Sequence, residues 1–541
     1  GKHIGELASM TIAELQDFLS GVQQQVNLTP LGENLLGEIL RKTDHLAQSR
    51  LGYLSLYREM PSLSGGEIQR LFLNSHLDSK MDSLIYILDE PTVGLHPSEK
   101  TELLKSVRAL KEIGNTVIVV EHDRQTIEMA EHIIDIGPKA GIHGGEVVYQ
   151  GDFSGLLESP ASLTGQYLSG KLGMPPRTSR RRNFGTDQGM PCLTLRNART
   201  NNLKDVSVSI PLGMLVGIAG VSGSGKSSLI SDTLVPLLKR SLKDSPDEVK
   251  IDLGENEPDP ADDTSEISPL VDRVEGVERI SGCVEVSQAP IGRNVSSNPA
   301  SYIGIWEKIR GLFAKQPEAV RQGLTSGHFS FNAKGACPTC GGSGRERIWL
   351  GGDFFIEHTC KACAGKRYCN EALSVRYKDK DIVEILEMSV TEAVSFFENE
   401  PSITATLNVM ERIGMGYIHL GQPTPSLSGG EAQRIKLAKE IGRRRASGIL
   451  YVLDEPTAGL SLYDTARLIQ LLDELVAKGN SVIVIEHDPV VLAACDWIIE
   501  LGPGGGAEGG KIIAEGTAQA LAHDPSSVTG PYLQECSESV Q

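Results

Sequence analysis

Short apolar runs alternate with longer stretches of helical periodicity along this chain. The clearest apolar runs are residues 84–88, 116–120, 214–219, 450–453 and 481–485. Runs of this length without polar alternation are typical of strands buried on both faces of a parallel sheet. Helical patterns at 99–113 and 464–477 lie between paired runs. This alternation predicts an α/β fold with a doubly wound sheet.

The same order of patterns occurs twice, about 365 residues apart. The matched segments are 63–67 with 427–431, 87–92 with 452–457, and 120–123 with 485–488. The repeat predicts two modules, at 1–174 and 190–541, joined by a linker at 175–189. Residue 1 matches a position well inside the second copy. We therefore expect about 190 residues of a first copy, with a first P-loop and a first zinc module, to precede it.

A glycine-rich segment, GVSGSGKSS, follows the apolar run 214–219 and precedes a helical pattern. This strand–turn–helix context is the one in which a GxxxxGKS segment forms a P-loop, whose backbone N–H groups surround phosphate oxygens. The alternative is a glycine-rich turn that binds no ligand, but such a turn would not need the complete GxxxxGKS pattern. The predicted nucleotide-binding residues are Gly220, Ser222, Gly223, Ser224, Gly225, Lys226, Ser227 and Ser228. They predict ATP as the ligand, with Mg²⁺ held by the Ser227 hydroxyl.

Acidic residues end the strand predicted at 450–453, where a buried carboxylate without a function would be costly. We expect Asp454 to bind Mg²⁺, Glu455 to polarise the attacking water, and His487 to contact the terminal phosphate. A capped strand end is the alternative, but the first module repeats the set at the same spacing. The repeated residues are Asp89, Glu90 and His122.

Two LSGGE segments precede these strands, and each predicts a helix start whose N–H groups can bind phosphate. They comprise Ser64, Gly65 and Gly66 in the first module, and Ser428, Gly429 and Gly430 in the second. Both segments resemble the ABC-ATPase signature. In that family two modules pack head to tail, and the signature of one completes the P-loop site of the other. The resemblance implies one complete ATP site in this chain, and Gln288 resembles the family's Q-loop glutamine.

The residues that would form a second site include no P-loop within this sequence. They are Asp89, Glu90, His122 and the second signature, Ser428 to Gly430. We therefore predict one competent ATP site and the remnant of another.

Two CxxC pairs lie between the P-loop and the second signature. They are Cys337 with Cys340, and Cys360 with Cys363. Such pairs, each in a glycine-rich turn, predict a four-thiolate structural zinc site, with redox dithiols as the alternative. Four protein ligands leave no open coordination position, so zinc would stabilise the fold and take no part in catalysis.

Composition constrains the partners and the cellular location that we expect for this chain. The chain has 541 residues, a formal net charge of −18 and nine cysteines. An acidic chain disfavours a nucleic-acid partner, but much of the negative charge falls in a loop expected at about 237–276. No apolar stretch approaches the about 18 residues of a membrane span. We expect no membrane partner and a cytoplasmic location, where thiolates bind metal more readily than they form disulfides.

Taken together, these segments resemble the UvrABC system protein A family of excinuclease components, over nearly the whole chain. The most specific segments are 141–146, 290–293, 297–300, 329–332, 360–368 and 427–434. The resemblance implies tandem ABC-type P-loop ATPase modules in an α/β fold, with helical signature lobes and a zinc-binding module inserted at about 291–445. It implies a homodimer that recognises damaged double-stranded DNA in nucleotide excision repair and loads UvrB, the partner component of the excinuclease. Candidate DNA contacts are Arg293, Lys334, Arg345 and Arg347, with solvated surface positions as the alternative.

Two other functions remain open at this point. The segment 349–354 between the cysteine pairs and the segment 71–76 after the first signature depart from the family pattern. These departures are compatible with a paralogue that binds DNA–drug adducts for self-resistance without excision. A transporter ATPase shares the P-loop and signature, but the CxxC pairs do not fit that class.

Overall fold

The computed structural model describes residues 2–25, 28–49, 51–60, 65–79, 81–138, 141, 144–173, 189–243, 270–287, 289–292, 297–351, 354–442 and 447–539. Apart from Gly189, the predicted linker at 175–189 lies outside the described residues. Among the described helices, none has both the length and the apolar character that a membrane span requires.

The first module has a helical lobe followed by short strands that alternate with helices. Its helices are α1 (Ile4–Ser9), α2 (Ile12–Gln25), α3 (Pro30–Gln48), α4 (Gly65–Ser79), α5 (Pro97–Glu112), α6 (Arg124–Met129), α7 (Phe153–Glu158) and α8 (Leu163–Leu168). Its strands are β1 (Ile85–Asp89), β2 (Thr116–Val120), β3 (Ile133–Gly137) and β4 (Glu146–Gly151). β1 and β2 pair in parallel, and β3 and β4 pair antiparallel.

The second module contains a six-stranded sheet, a three-stranded sheet and a large insertion. Its strands are β5 (Cys192–Ala198), β6 (Val206–Pro211), β7 (Leu215–Ala219), β8 (Arg273–Glu275), β9 (Gly282–Val286), β10 (Arg345–Gly351), β11 (Phe354–Thr359), β12 (Ile449–Asp454), β13 (Ser481–Ile485), β14 (Trp497–Gly502) and β15 (Lys511–Gly516). Its core helices are α9 (Lys226–Leu229), α10 (Val235–Lys243), α18 (Gly429–Gly442), α19 (Leu462–Ala477), α20 (Pro489–Ala494), α21 (Ala518–Ala522) and α22 (Gly530–Ser539). The insertion carries α11 (Pro299–Tyr302), α12 (Trp306–Ala314), α13 (Pro317–Arg321), α14 (Asn370–Ser374), α15 (Ile382–Leu386), α16 (Val390–Phe396) and α17 (Pro401–Arg412).

The main sheet of the second module has six strands in the order β15-β14-β7-β13-β12-β9. All neighbours run parallel except β15, which pairs antiparallel with β14. A second sheet, β6-β5-β8, packs on one face of the main sheet together with the helical segment that follows β7. Every residue of β7 and β13 is buried, as the continuous apolar runs predict.

The predicted strands at 116–120 and 481–485 are confirmed as β2 and β13. The acidic loop expected at about 237–276 is shorter at both ends than predicted. Helix α10 continues to Lys243, because its apolar face packs on the core, and β8 pairs with β5 from residue 273. Residues 244–269, which hold most of the acidic run, lie outside the described residues.

The two modules differ in how their parallel strands are covered. In the second module, Ile483 and Ile485 of β13 are buried beneath β5, β6 and the helical segment after β7. The matching residues of β2, Ile118 and Val120, are 49% and 48% exposed. The opposite face of β1 and β2 packs against α5. One face of the first module's strands is therefore apolar and open among the described residues.

This difference predicts unequal costs for the same substitution at matched positions. Ile483→Ala should lower the free energy of unfolding by about 2–5 kcal/mol, because it leaves a buried cavity. Ile118→Ala should cost less than about 1 kcal/mol, because the side chain is half exposed. Urea denaturation followed by circular dichroism measures both losses. Equal losses would show that another surface covers Ile118 in solution.

Candidate functional site

The P-loop turn connects the end of β7 to helix α9. Gly220, Gly223 and Gly225 have positive φ angles of 131°, 71° and 105°, which favour glycine. A methyl group on Gly220 would meet the Leu501 carbonyl oxygen at 2.1 Å, so glycine is required there for space as well. The turn thus lies close to the sheet and leaves its outer side open to a ligand.

The turn contains two buried polar side chains, Ser224 and Lys226. Ser224 is fully buried, and its hydroxyl has no hydrogen-bond partner among the described residues. Lys226 is buried, and its Nζ donates to the carbonyl oxygens of Gly220 and Val221 at 3.0 Å each. A buried hydroxyl without a hydrogen-bond partner is costly unless a ligand supplies that partner. These groups fit a bound phosphate chain.

Carboxylates at the ends of neighbouring strands line the same edge of the sheet. Burial raises the pKa of Asp454, and burial together with the Asp454 charge raises the pKa of Glu455 to about 7. His487 follows β13, with its Nε2 3.7 Å from Glu455 Oε1. Burial lowers the pKa of His487 well below its ordinary value, so the imidazole is neutral. Asp454 and Ser227 would hold Mg²⁺ here.

Glu455 has a strained backbone, with φ of 47°, in the left-handed region that non-glycine residues rarely adopt. Its N–H donates to the Ile485 carbonyl at 2.8 Å. Glu90 repeats this geometry with φ of 46°, and its N–H donates to the Val120 carbonyl at 2.9 Å. Strain of this kind is found at functional sites where the surroundings maintain it. It supports the predicted roles of both glutamates.

Parts of the first module lie directly against this P-loop. The Ser222 hydroxyl is 3.3 Å from the Gly94 carbonyl oxygen, and a methyl group on Gly94 would meet Glu455 Oε2 at 3.1 Å. Tyr53 packs against Gly506 and hydrogen-bonds Glu67 of α4 through its hydroxyl. The contacts join residues that are far apart in the sequence.

The predicted signature and Q-loop residues are described only in part. Gly65 and Gly66 begin α4, while Ser64 and Gln288 lie outside the described residues.

The remnant of the second site has the same arrangement of an acidic strand end, a glutamate and a histidine, but its histidine is more exposed. Asp89 ends β1, and His122 Nε2 lies 3.8 Å from Glu90 Oε1. The His122 side chain is 43% exposed, against 6% for His487. A methyl group on Gly459 would meet Glu90 Oε2 at 2.9 Å. The Ser428 hydroxyl accepts the Glu431 N–H at 3.2 Å where α18 begins with Gly429 and Gly430.

Sequence reasoning missed several residues at the contact between the modules. Among them are Tyr53, Gly94 and Glu99, with Arg70 paired to Glu99 behind the contact. The internal repeat held a signal for them, because each aligns with a residue of the same kind in the second copy. Their counterparts are Tyr417, Arg434, Gly459 and Asp464.

The four predicted cysteines converge. Ligand sulfurs of Cys337, Cys340, Cys360 and Cys363 all lie within 4.8 Å of one another, and Cys340 Sγ is 3.8 Å from Cys363 Sγ. Four thiolates at zinc's usual bond length stand roughly 3.8 Å apart in a tetrahedron. The Gly344 N–H donates to Cys340 Sγ at 3.2 Å, which favours a thiolate. The cluster fits a tetrahedral structural metal such as zinc.

Comparisons with known proteins agree with this arrangement. A scan of protein-family models finds no match to the chain. The chain is 43% identical over 537 residues to the UvrABC system protein A of Aquifex aeolicus, and 44% identical over 541 residues to that of Thermus thermophilus. These matches cover 99% and 98% of this chain. Over nearly its whole length, the chain is similar to UvrABC system protein A. It spans about half the length of these curated relatives, 55% and 54%.

A solved structure described as UvrA2 from Deinococcus radiodurans superposes with a TM-score of 0.87 at 38% identity. The match covers all of this chain and 64% of that one. The α/β fold of tandem ABC-type modules with an inserted four-cysteine module is therefore confirmed.

The hairpin β10–β11 projects apolar side chains into solvent. Trp349 and Phe354 are 71% and 77% exposed. The candidate DNA contacts Arg345 and Arg347 both pair with Glu357, at 3.1 and 2.8 Å. Lys334 precedes the first cysteine pair on an exposed turn, and Arg293 lies outside the described residues. A phosphate would compete with Glu357 for the two arginines.

The metal centre predicts a specific loss on substitution. Cys340→Ser should reduce bound zinc from about one equivalent to a small fraction of one, because it removes one of four thiolates. Cys369→Ser, just outside the cluster, should retain the zinc. Elemental analysis of the purified variants measures the content. Unchanged zinc in Cys340→Ser would reject the assigned ligand set.

Proposed function

We propose that this chain is an ATP-hydrolysing, DNA-binding part of a UvrA-type excision-repair protein, with one competent ATP site. The observation that carries the proposal is the contact between the second module's P-loop and the Gly94 segment of the first. In ABC ATPases such a contact encloses the nucleotide between modules. In this protein, the two sides of that contact belong to one polypeptide, so a single chain can form the site.

The chain's own residues supply the groups that phosphate transfer to water requires. The P-loop N–H groups and Lys226 bind and orient the phosphate chain. Asp454 and Ser227 would hold Mg²⁺, which would supply positive charge to neutralise the phosphate oxygens. Glu455 orients the attacking water, and the neutral His487 donates toward the terminal phosphate. Gly94 limits the space around Glu455, and the closed interface excludes further water.

Double-stranded DNA is the proposed macromolecular ligand, bound across the inserted lobe. The names of the curated relatives favour excision repair over a self-resistance paralogue or a transporter ATPase. The chain's net charge of −18 disfavours broad electrostatic binding. Recognition would therefore depend on local contacts and on deformation of the damaged duplex. The proposal also includes a homodimer, a cytoplasmic location and loading of UvrB, the partner component of the excinuclease.

Loss of the P-loop lysine tests the ATP site. Lys226→Ala should reduce ATP turnover to less than about 1% of the parent rate, because this sequence contains one P-loop and the lysine binds its phosphates. Lys511→Ala, on an edge strand, is the control and should retain turnover. Phosphate release at steady state measures both. A Lys226→Ala rate near that of the parent would contradict the one-site proposal.

The exposed hairpin tests the DNA role. Trp349→Ala should weaken the preference for a lesion-bearing over an undamaged duplex severalfold, because an exposed aromatic ring can stack on unpaired bases. ATP turnover without DNA should not change. Competition binding at fixed salt measures the preference. A parent chain that binds both duplexes equally would contradict lesion recognition.

A further inference from the structure

A carboxylate of the first module lies inside the second module's P-loop contact. Glu99 is the third residue of α5 and is 3% exposed. Its Oε2 accepts the Ser222 hydroxyl at 2.7 Å and the Ser222 N–H at 3.3 Å. The two residues are separated by 123 positions in the sequence. Thus the hydroxyl and the N–H of one P-loop residue are both held by the opposite module.

The other oxygen of Glu99 connects to the signature helix. Glu99 Oε1 lies 3.3 Å from Nη1 of Arg70, which is on α4 and is equally buried. The backbone N–H of His96 also donates to Oε2, at 2.9 Å, as part of the capping box of α5. Burial alone would raise the pKa of Glu99, but Arg70 and the Ser222 hydroxyl outweigh it and lower the pKa. The group therefore remains ionised within the interface.

The matching residue of the second module has no comparable contact among the described residues. Asp464 accepts the Ser461 hydroxyl at 2.8 Å, and Ser461, the N-cap of α19, accepts the Asp464 N–H at 3.2 Å. Arg434, the counterpart of Arg70, is buried, and its Nε and Nη1 have no partner among the described residues. Among the described residues, the chain thus contains the Arg–carboxylate contact at Arg70 and Glu99 but not at the matching residues Arg434 and Asp464. Asp464 therefore serves as the matched control position for Glu99.

We propose that Glu99 is a positioning residue for ATP hydrolysis, supplied by the first module to the P-loop of the second. This inference rests on the proposed ATPase function. Glu99 joins the signature helix, through Arg70, to Ser222 of the P-loop. It thereby holds the interface in the closed state in which Gly94 lies against Glu455. The nucleotide itself is bound by the P-loop's own N–H groups and Lys226, so Glu99 acts on turnover more than on binding.

Glu99→Gln tests this role with little change of shape. Glutamine retains the capping box of α5 but loses the charge that binds Arg70 and Ser222. We expect kcat to fall roughly tenfold or more, with KM and the Kd of a fluorescent ATP analogue within about threefold of the parent. Asp464→Asn, at the matched position, should leave kcat unchanged. Glu99→Asp retains the charge and should recover part of the lost rate.

Ser222→Ala gives an independent test, because it leaves the Glu99–Arg70 pair and the helix cap in place. It should lower kcat to a similar extent, and the double variant should be no worse than either single variant. Equal kcat for Glu99→Gln and the parent, or full additivity in the double variant, would overturn the inference while leaving the proposed function intact.

Hydrogen exchange of the P-loop supplies a readout that needs no activity. Without nucleotide, residues 220–225 should exchange faster in Glu99→Gln than in the parent or in Asp464→Asn, because the Ser222 N–H loses a charged acceptor. A parent chain that fails to hydrolyse ATP would overturn the proposed function. Unchanged exchange in Glu99→Gln would overturn the contact that underlies this inference.

Discussion

The buried contact between the P-loop turn and helix α5 is the interaction on which the nucleotide site depends. The P-loop and the strands beside it belong to the second module, whereas α5 and Gly94 belong to the first. Groups from both modules therefore surround the P-loop: Glu99 contacts Ser222, and Gly94 lies against Glu455. Because the linkage passes through an ionised carboxylate between buried Arg70 and half-buried Ser222, it is directional and geometrically demanding in a way that apolar packing is not.

Several buried carboxylates gather at this edge of the sheet, where they favour the binding of a cation. Asp454, Glu455 and Glu486 are clustered, and burial raises the pKa of all three, with Glu486 and Glu455 each raised to about 7. Lys226 is a nearby cation, and burial lowers its own pKa. Buried carboxylates gathered in this way are costly without partners. In a bound Mg²⁺–nucleotide complex, the metal ion would balance the charge of Asp454 and the phosphate groups would balance the charge of Lys226.

The same motifs have different environments in the two modules. His122 and Glu90 approach each other as closely as His487 and Glu455, yet they are more exposed. His487 lies against His96 of the first module and near Lys226 of the P-loop. The cover over the parallel strands also differs: in the second module, β5, β6 and the P-loop helix bury one face of the main sheet, whereas the matching face of β1 and β2 is open among the described residues. The same motif therefore has different burial in the two modules.

By itself, the sequence determined the features that depend on neighbouring residues. The parallel strands, the P-loop turn, the acidic strand ends and the four cysteines all follow from local pattern and spacing. Only the tertiary structure decided which distant groups meet. Glu99 is an ordinary residue of a helical pattern until folding places it against Ser222, and β8 becomes a strand by pairing with β5. The left-handed backbone of Glu455 is likewise maintained by the surrounding fold. Such contacts join residues far apart in the chain, so no local periodicity records them.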